Sequence, residues 1–228
     1  MGVIQDALLG LGLAGIYAMM AQGMVLIYRG SGVLNFAQAA FAALGAYIFW
    51  ELHFHEGWAF APATIVTVAA TAALGVITQT VVMRPLRRRS TLARVVGTLG
   101  VLSILDGAVL LIWGDNLQIV GSSLPENRIS LGGGTYVTAD RLGLFAIAAA
   151  VTLLLSHVTR LTRLGLAMSG VAENEIATAA LGWSPNMVAT VTWAAGTGLA
   201  ALAGILVIPL TGLQLDQITP LITFATAA

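Results

Sequence analysis

Residues 83–105 read MRPLRRRSTLARVVGTLGVLSIL, and the fold follows from how this stretch divides. Arg84, Arg87, Arg88, Arg89 and Arg94 crowd its first half, while an apolar run starting at residue 92 fills the rest and continues to residue 113. Another apolar run, residues 60–82, ends where the stretch begins. A run of about 20 apolar residues is long enough to cross a bilayer core as helix. Cations gathered between two such runs mark a connection on the cytoplasmic side.

Working outward, apolar segments recur at residues 3–27, 36–50, 60–82, 92–113, 140–158 and 186–208, with a seventh beginning near Pro220. The whole chain of 228 residues is 58% hydrophobic and only 9% charged, whereas roughly a quarter of a soluble domain is charged. The fold class expected is therefore all-α, a polytopic transmembrane helical bundle of about seven segments. No stretch reads as a linker or a soluble domain, so residues 1–228 form one membrane domain. Small residues, 26 glycines among them, suit close helix approach in lipid. The absence of cysteine excludes disulfides and thiolate metal sites.

All ten basic residues are arginine. Arg29, the cluster at 84–94, and Arg160 with Arg163 fall in alternate connections, which the positive-inside rule makes cytoplasmic. The other connections hold Glu51, Glu56, Asp115, Glu126 and Asp140, with Arg128 and Arg141 as their bases. Asp6 stands at the start of the first apolar run, with no basic residue before it, and Arg29 follows it, the reverse of a cleavable signal. The first segment is thus expected to be retained, with the N-terminus outside.

Of the polar side chains in apolar surroundings, three stand out. Asn35 and Gln38 follow the Arg29–Gly30–Ser31–Gly32 break and share one helical face. The segment they open barely reaches across the bilayer core, so it is expected to be short or partly re-entrant. An intramembrane polar group is a functional candidate by default, and Asn35, Gln38 and Asp106 are the translocation-pathway candidates. A cap by Asn35 with an interhelical bond from Gln38, and a locally solvated Asp106, are the structural alternatives. In the outer loop ELHFHE, His53 and His55 lie among Glu51 and Glu56, but a spacing of two in a loop is poor metal-binding geometry, and no metal or cofactor site is expected. No set of side chains pairs into a catalytic constellation, so the chain is not expected to be an enzyme. A small hairpin is expected in the outer loop, from residues 116–120 and 135–139.

The remaining irregularity is AMSGVAENEIATAALGW, residues 167–183. It lies on the arginine side, turns from apolar to small-sided, and places Glu173 and Glu175 where a helix N-terminus favours acids. Its pattern predicts one short helix, with Ala172, Ile176, Ala179 and Trp183 on one stripe, Glu173, Ala177 and Ala180 beside it, and Gly182, Ser184 and Pro185 ending it. A helix with few large side chains is a poor core element, suited to lying in a partner's groove. The docking residues expected are Glu173, Asn174, Glu175, Ala177, Ala180 and Gly182.

EIATAALG preceded by RLGLAM resembles the cytoplasmic Glu-Ala-Ala loop of ABC importer permeases, and the form of the whole stretch is most similar to permeases for branched-chain amino acids. VLIYRGSGVLNFAQAAFAALGAY, the 83–105 stretch and TWAAGTGLAALAGILV extend the resemblance over nearly the whole chain. It implies a permease in the bacterial inner membrane. The implied partners are a second permease subunit, two ABC ATPase subunits that bind the ATP, an external solute-binding protein and membrane lipid, with no nucleic acid. Ile176 replaces the second alanine of the general motif, Gly182 comes one residue late, and Ser169–Gly170 stands where an arginine is usual. Because the chain ends inside an apolar segment, it is expected to be C-terminally truncated. Permeases for urea, short amides or sugars share the broader pattern, so the substrate stays open. An ion-coupled secondary transporter rests on Asp106 alone.

Overall fold

The computed structural model describes residues 2–114, 128–132 and 135–215. The expected apolar segments from 3–27 to 186–208 each coincide with a helix: α1 (Gly2–Ser31), α2 (Gln38–Trp50), α3 (Phe60–Ile77), α5 (Thr91–Trp113), α6 (Ala139–Leu161) and α9 (Pro185–Thr211). The seventh segment lies outside the described residues. Among the described residues, four stretches, Phe60–Leu86, Thr91–Trp113, Arg141–Leu161 and Pro185–Leu210, are long and apolar enough to cross a membrane.

The joints follow local chemistry. α1 stops at Ser31 and Gly32 takes φ +65°, a left-handed conformation that glycine adopts at no steric cost. α3 runs through a π-helical turn, Thr78–Met83, into the three-residue α4 (Arg84–Leu86). Ser90 then accepts a hydrogen bond from the Ala93 amide at 3.3 Å and caps α5. Beyond α5, β1 (Arg128–Gly132) pairs antiparallel with β2 (Thr135–Thr138). The second strand is the expected one. It pairs with the nearer segment, β1, while residues 116–120 lie outside the described residues.

α9 is the centre of the bundle. Of its apolar window 72% is buried, against 22% or less for the other three long segments, so those present their apolar sides outward, as Ile65, Leu111 and Leu153 do. α1, α2 and α3 pack around α9, α6 packs on α1, and α5 on α2. α2 is enclosed along nearly its whole length.

Backbone proximity sets these crossings. A Cβ on Gly196 of α9 would lie 2.7 Å from the Gly23 carbonyl oxygen of α1, so only glycine permits this approach. Deeper contacts come from Trp193, fully buried, whose Nε1 donates to Ser31 Oγ at 3.2 Å.

Candidate functional site

Asn35 and Gln38 meet at the central crossing. Asn35 Oδ1 accepts from the Ala37 amide at 3.1 Å, its Nδ2 donates to Gln38 Oε1 at 3.0 Å, and Gln38 Nε2 donates to the Gly196 carbonyl at 3.0 Å. Both side chains are buried. The arrangement closes the turn between α1 and α2 and ties α2 to α9 at the Gly23–Gly196 crossing of α1 and α9, so in this conformation both amides are spent on holding helices together. Asp106 makes no hydrogen bond to either. It sits part-buried on α5, its Oδ1 buried and without a partner among the described residues.

On the other side of the bundle, the ELHFHE stretch is a π-helical turn, Glu51–His55, that extends α2 instead of a loop. Glu51 accepts from Trp113 Nε1 at 2.9 Å and meets His55 Nδ1 at 2.8 Å, binding the end of α2 to the end of α5. The Trp113 bond, then the His55 bond, hold the Glu51 carboxyl below its usual pKa. Glu51, His55 and Glu56 converge, their potential ligand atoms within 4.8 Å of one another. His53 is drawn elsewhere: its Nδ1 lies 2.7 Å from the Trp58 carbonyl and its ring packs against Phe49 and Phe60.

The arginine side carries the third group. Thr162 ends α6, accepts from the Gly165 amide at 3.3 Å, and thereby starts α7 (Arg163–Glu173). Ala167 and Met168 bury against Leu26 and Val188, seating α7 between α1 and α9. The chain then breaks at Asn174, which is extended, with φ −153° and ψ 101°. Asn174 Oδ1 accepts from the Ala177 amide at 2.9 Å, capping α8 (Glu175–Ala180).

The expected single helix is thus two, and the predicted stripes do not form across Asn174. The physical reason is the cap: an asparagine carbonyl that takes the orphan amide of the next turn favours restarting the helix over continuing it. Glu173 ends α7, while Glu175 occupies the first turn of α8, where the helix dipole favours an acid.

α8 folds back onto α7 through Thr178, buried against Gly170, where a Cβ would lie 2.8 Å from Thr178 Oγ1. Ser169–Gly170, the departure from the familiar pattern, therefore provides the room in which α8 packs. Gly182 takes φ +90°. Its amide bonds the Ala179 carbonyl at 3.0 Å, and the Trp183 amide bonds the Thr178 carbonyl at 3.3 Å, the paired bonds of a Schellman ending. Ser184 and Pro185 do not belong to this ending. Ser184 caps α9 and Pro185 is its first residue, a position where proline's missing amide costs nothing.

Outward, α8 presents Ile176, Ala177, Ala179, Ala180 and then Leu181, all exposed. Ile176 is 84% and Leu181 82% exposed. The alanines between them make the surface shallow, as expected, but two aliphatic knobs stand on it. Leu181 went unread in the sequence because it follows the small-residue run and looks like the end of a helix.

Inward, Arg87 pairs with Glu175 and donates through Nη1 to Asn186 Oδ1. One guanidinium so joins the α4–α5 connection, the first turn of α8 and the first turn of α9. Burial, then Arg84 and Arg88, push the Arg87 pKa down, yet an arginine stays cationic throughout the accessible range. Neither Arg87 as a clasp nor Asn186 as its partner is visible in the sequence, where the arginines read as a topological anchor facing lipid headgroups or as a docking surface.

Against known proteins, the family profile described as branched-chain amino acid transport system / permease component matches residues 7–228. The chain is 28% identical over 232 residues to the high-affinity branched-chain amino acid transport system permease protein BraD of Pseudomonas aeruginosa, covering 97% of this chain and 74% of the relative. It is 26% identical over 215 residues to LivH of Escherichia coli K12, a permease protein of the same description, covering 89% of this chain and 70% of the relative. LivH of Salmonella typhimurium is 25% identical over the same length. No solved structure matches. With the profile spanning nearly the whole chain, this protein belongs to the branched-chain amino acid permease family.

Proposed function

We propose that the chain is the transmembrane permease subunit of a binding-protein-dependent ABC importer. It carries branched-chain amino acids inward, driven by ATP hydrolysis on a separate subunit that seats on α8. The carrying observation is the pair Ile176 and Leu181, 84% and 82% exposed at the two ends of a capped, inward-clasped surface helix. Exposed aliphatics flanked by alanine are what a fitted protein groove buries. The substrate assignment rests on the relatives' descriptions. The orientation, with α8 and the 84–94 arginines cytoplasmic and the N-terminus outside, rests on the positive-inside rule. A second permease subunit, two ATPases and an external solute-binding protein complete the assembly.

The test is co-purification of the ATPase with wild-type, Ala177→Arg and Leu181→Arg permease, alongside leucine uptake. An unpaired cation buried in the groove costs several kcal/mol, and each 1.4 kcal/mol is about tenfold, so ATPase recovery should fall by orders of magnitude. Membrane insertion should be unaffected, because α8 lies outside the long apolar segments. Full ATPase recovery with both variants refutes docking through α8. Uptake that urea competes for as well as leucine does refutes the substrate while leaving the docking intact.

A further inference from the structure

The groove between α1 and α6 has a build that the transport reading does not use. It is a lateral cavity of about 300 Å³ lined by both helices. Val25, Leu26 and Leu155 make apolar walls. Gln22 Nε2 donates to Thr152 Oγ1 at 2.7 Å, fastening the two helices at one end. At the other end stand Arg29 and Arg160, both exposed.

Among the described residues neither arginine has a salt bridge or a side-chain hydrogen bond, in contrast to Arg87 and Arg94, which bond to neighbours. Among the described residues no Asp or Glu lines the groove. Both arginines close their helices, Arg29 in the last turn of α1 and Arg160 in the last turn of α6, so they lie at the level where lipid headgroups meet water. Ser156 lies one turn deeper than Arg160, about 6 Å along the helix, a depth suited to a glycerol ester below a phosphate.

We propose that this groove binds one anionic phospholipid. Its phosphate sits between Arg29 and Arg160, its ester region beside Ser156, and an acyl chain along Val25, Leu26 and Leu155. Two cations above an apolar trough match the two halves of such a lipid. A zwitterionic lipid brings a cation of its own against the arginines, and a free phosphate gains nothing from the trough. Basic pockets between membrane helices hold anionic headgroups by this combination. The lipid would splint α1 to α6, and α7 packs on both of these helices.

The experiment is native mass spectrometry of the full chain purified from membranes, titrated with phosphatidylglycerol or phosphatidylcholine. Wild-type protein should retain one phosphatidylglycerol in preference to phosphatidylcholine, and excess inorganic phosphate should not displace it. Arg29→Gln with Arg160→Gln should weaken phosphatidylglycerol binding about thirtyfold, from two basic contacts near the headgroup plane. Leu155→Trp fills the trough and should weaken both lipids while keeping both cations. Arg88→Gln with Arg89→Gln, elsewhere on the same side of the bundle, should leave the adduct in place. The proposal is overturned by equal retention of the two lipids, by displacement with phosphate alone, or by equal losses in the two double-arginine variants.

Discussion

Arg87 is the side chain whose removal discriminates best between a clasp and a mere topological anchor. Glu175→Ala deletes the ion pair between side chains that are 48% and 30% exposed. Pairs so open to water are worth about 0.2–1 kcal/mol, which is at most about fivefold. Arg87→Ala deletes that pair and also the bond to Asn186. A hydrogen bond from a charged donor contributes about 1.5–3 kcal/mol, and partial exposure places this one at the lower end. The arginine substitution should therefore cost about 2 kcal/mol at the α8–α9 junction, several times the effect of the glutamate substitution. Because Glu175 acts through Arg87, the double variant should be no worse than Arg87→Ala alone. The assay is a double-mutant cycle read in ATPase co-purification and in leucine uptake at matched membrane expression. Additive losses, or a Glu175→Ala effect equal to that of Arg87→Ala, would refute the clasp and return the arginine to a headgroup anchor.

Three further outcomes follow from the geometry. Gly196→Ala brings a Cβ to 2.7 Å from the Gly23 carbonyl, where ordinary contact begins at 3.4 Å. It should destabilise the purified chain by about 1–3 kcal/mol, whereas Gly100→Ala, with nothing within 4 Å of its Cβ, should be neutral or stabilising in thermal melts. The Glu51 carboxyl is held below its usual pKa by Trp113 and His55; its contribution to stability is full above the ordinary carboxylate range and fades as pH falls through the lowered value. Glu51→Gln should therefore flatten the acid limb of a melting-temperature profile, and an unchanged limb would remove Glu51 from the α2–α5 joint. Single cysteines at positions 88 and 174 should resist an impermeant thiol reagent applied from outside, while one at position 53 should react; the opposite pattern inverts the orientation and ends the case for ATPase docking.

The helices were legible because each apolar run is long and lies between charged or glycine-bearing connections, but the caps were not, since Ser184 reads as the end of one helix and is the start of the next. The two π-helical turns were not, since an i→i+5 bond leaves no mark in residue type. Asn35 and Gln38 do pair, but through the turn ahead of α2 and not on one helical face, because Asn35 lies outside the helix; the third member, the Gly196 carbonyl, lies 158 residues beyond Gln38 and is a backbone atom that any residue type would supply. At the docking stretch the residue types were legible and the break was not. Glu173 and Glu175 read together as one helix start, yet the cap is the asparagine between them. Long-range ties such as Arg87 to Asn186 depend on which connections meet in space, and local pattern carries no information on that.

α9 begins at Pro185, one residue past the serine that caps it, and runs 27 residues through the middle of the bundle against α1, α2 and α3. Only the Gly182 turn, Trp183 and that cap separate it from α8. A long rod held at its first turn by Arg87 behaves as a lever with its short arm at the surface. A tilt of a few degrees imposed at α8 moves the far end of a helix about 40 Å long by a few ångströms. Over residues 196–204 its buried positions are glycine, alanine and Thr197, so a displacement there meets few rotamers and passes on as sliding, while Trp193 and Ile205 to Ile208 bring larger side chains to the flanking turns.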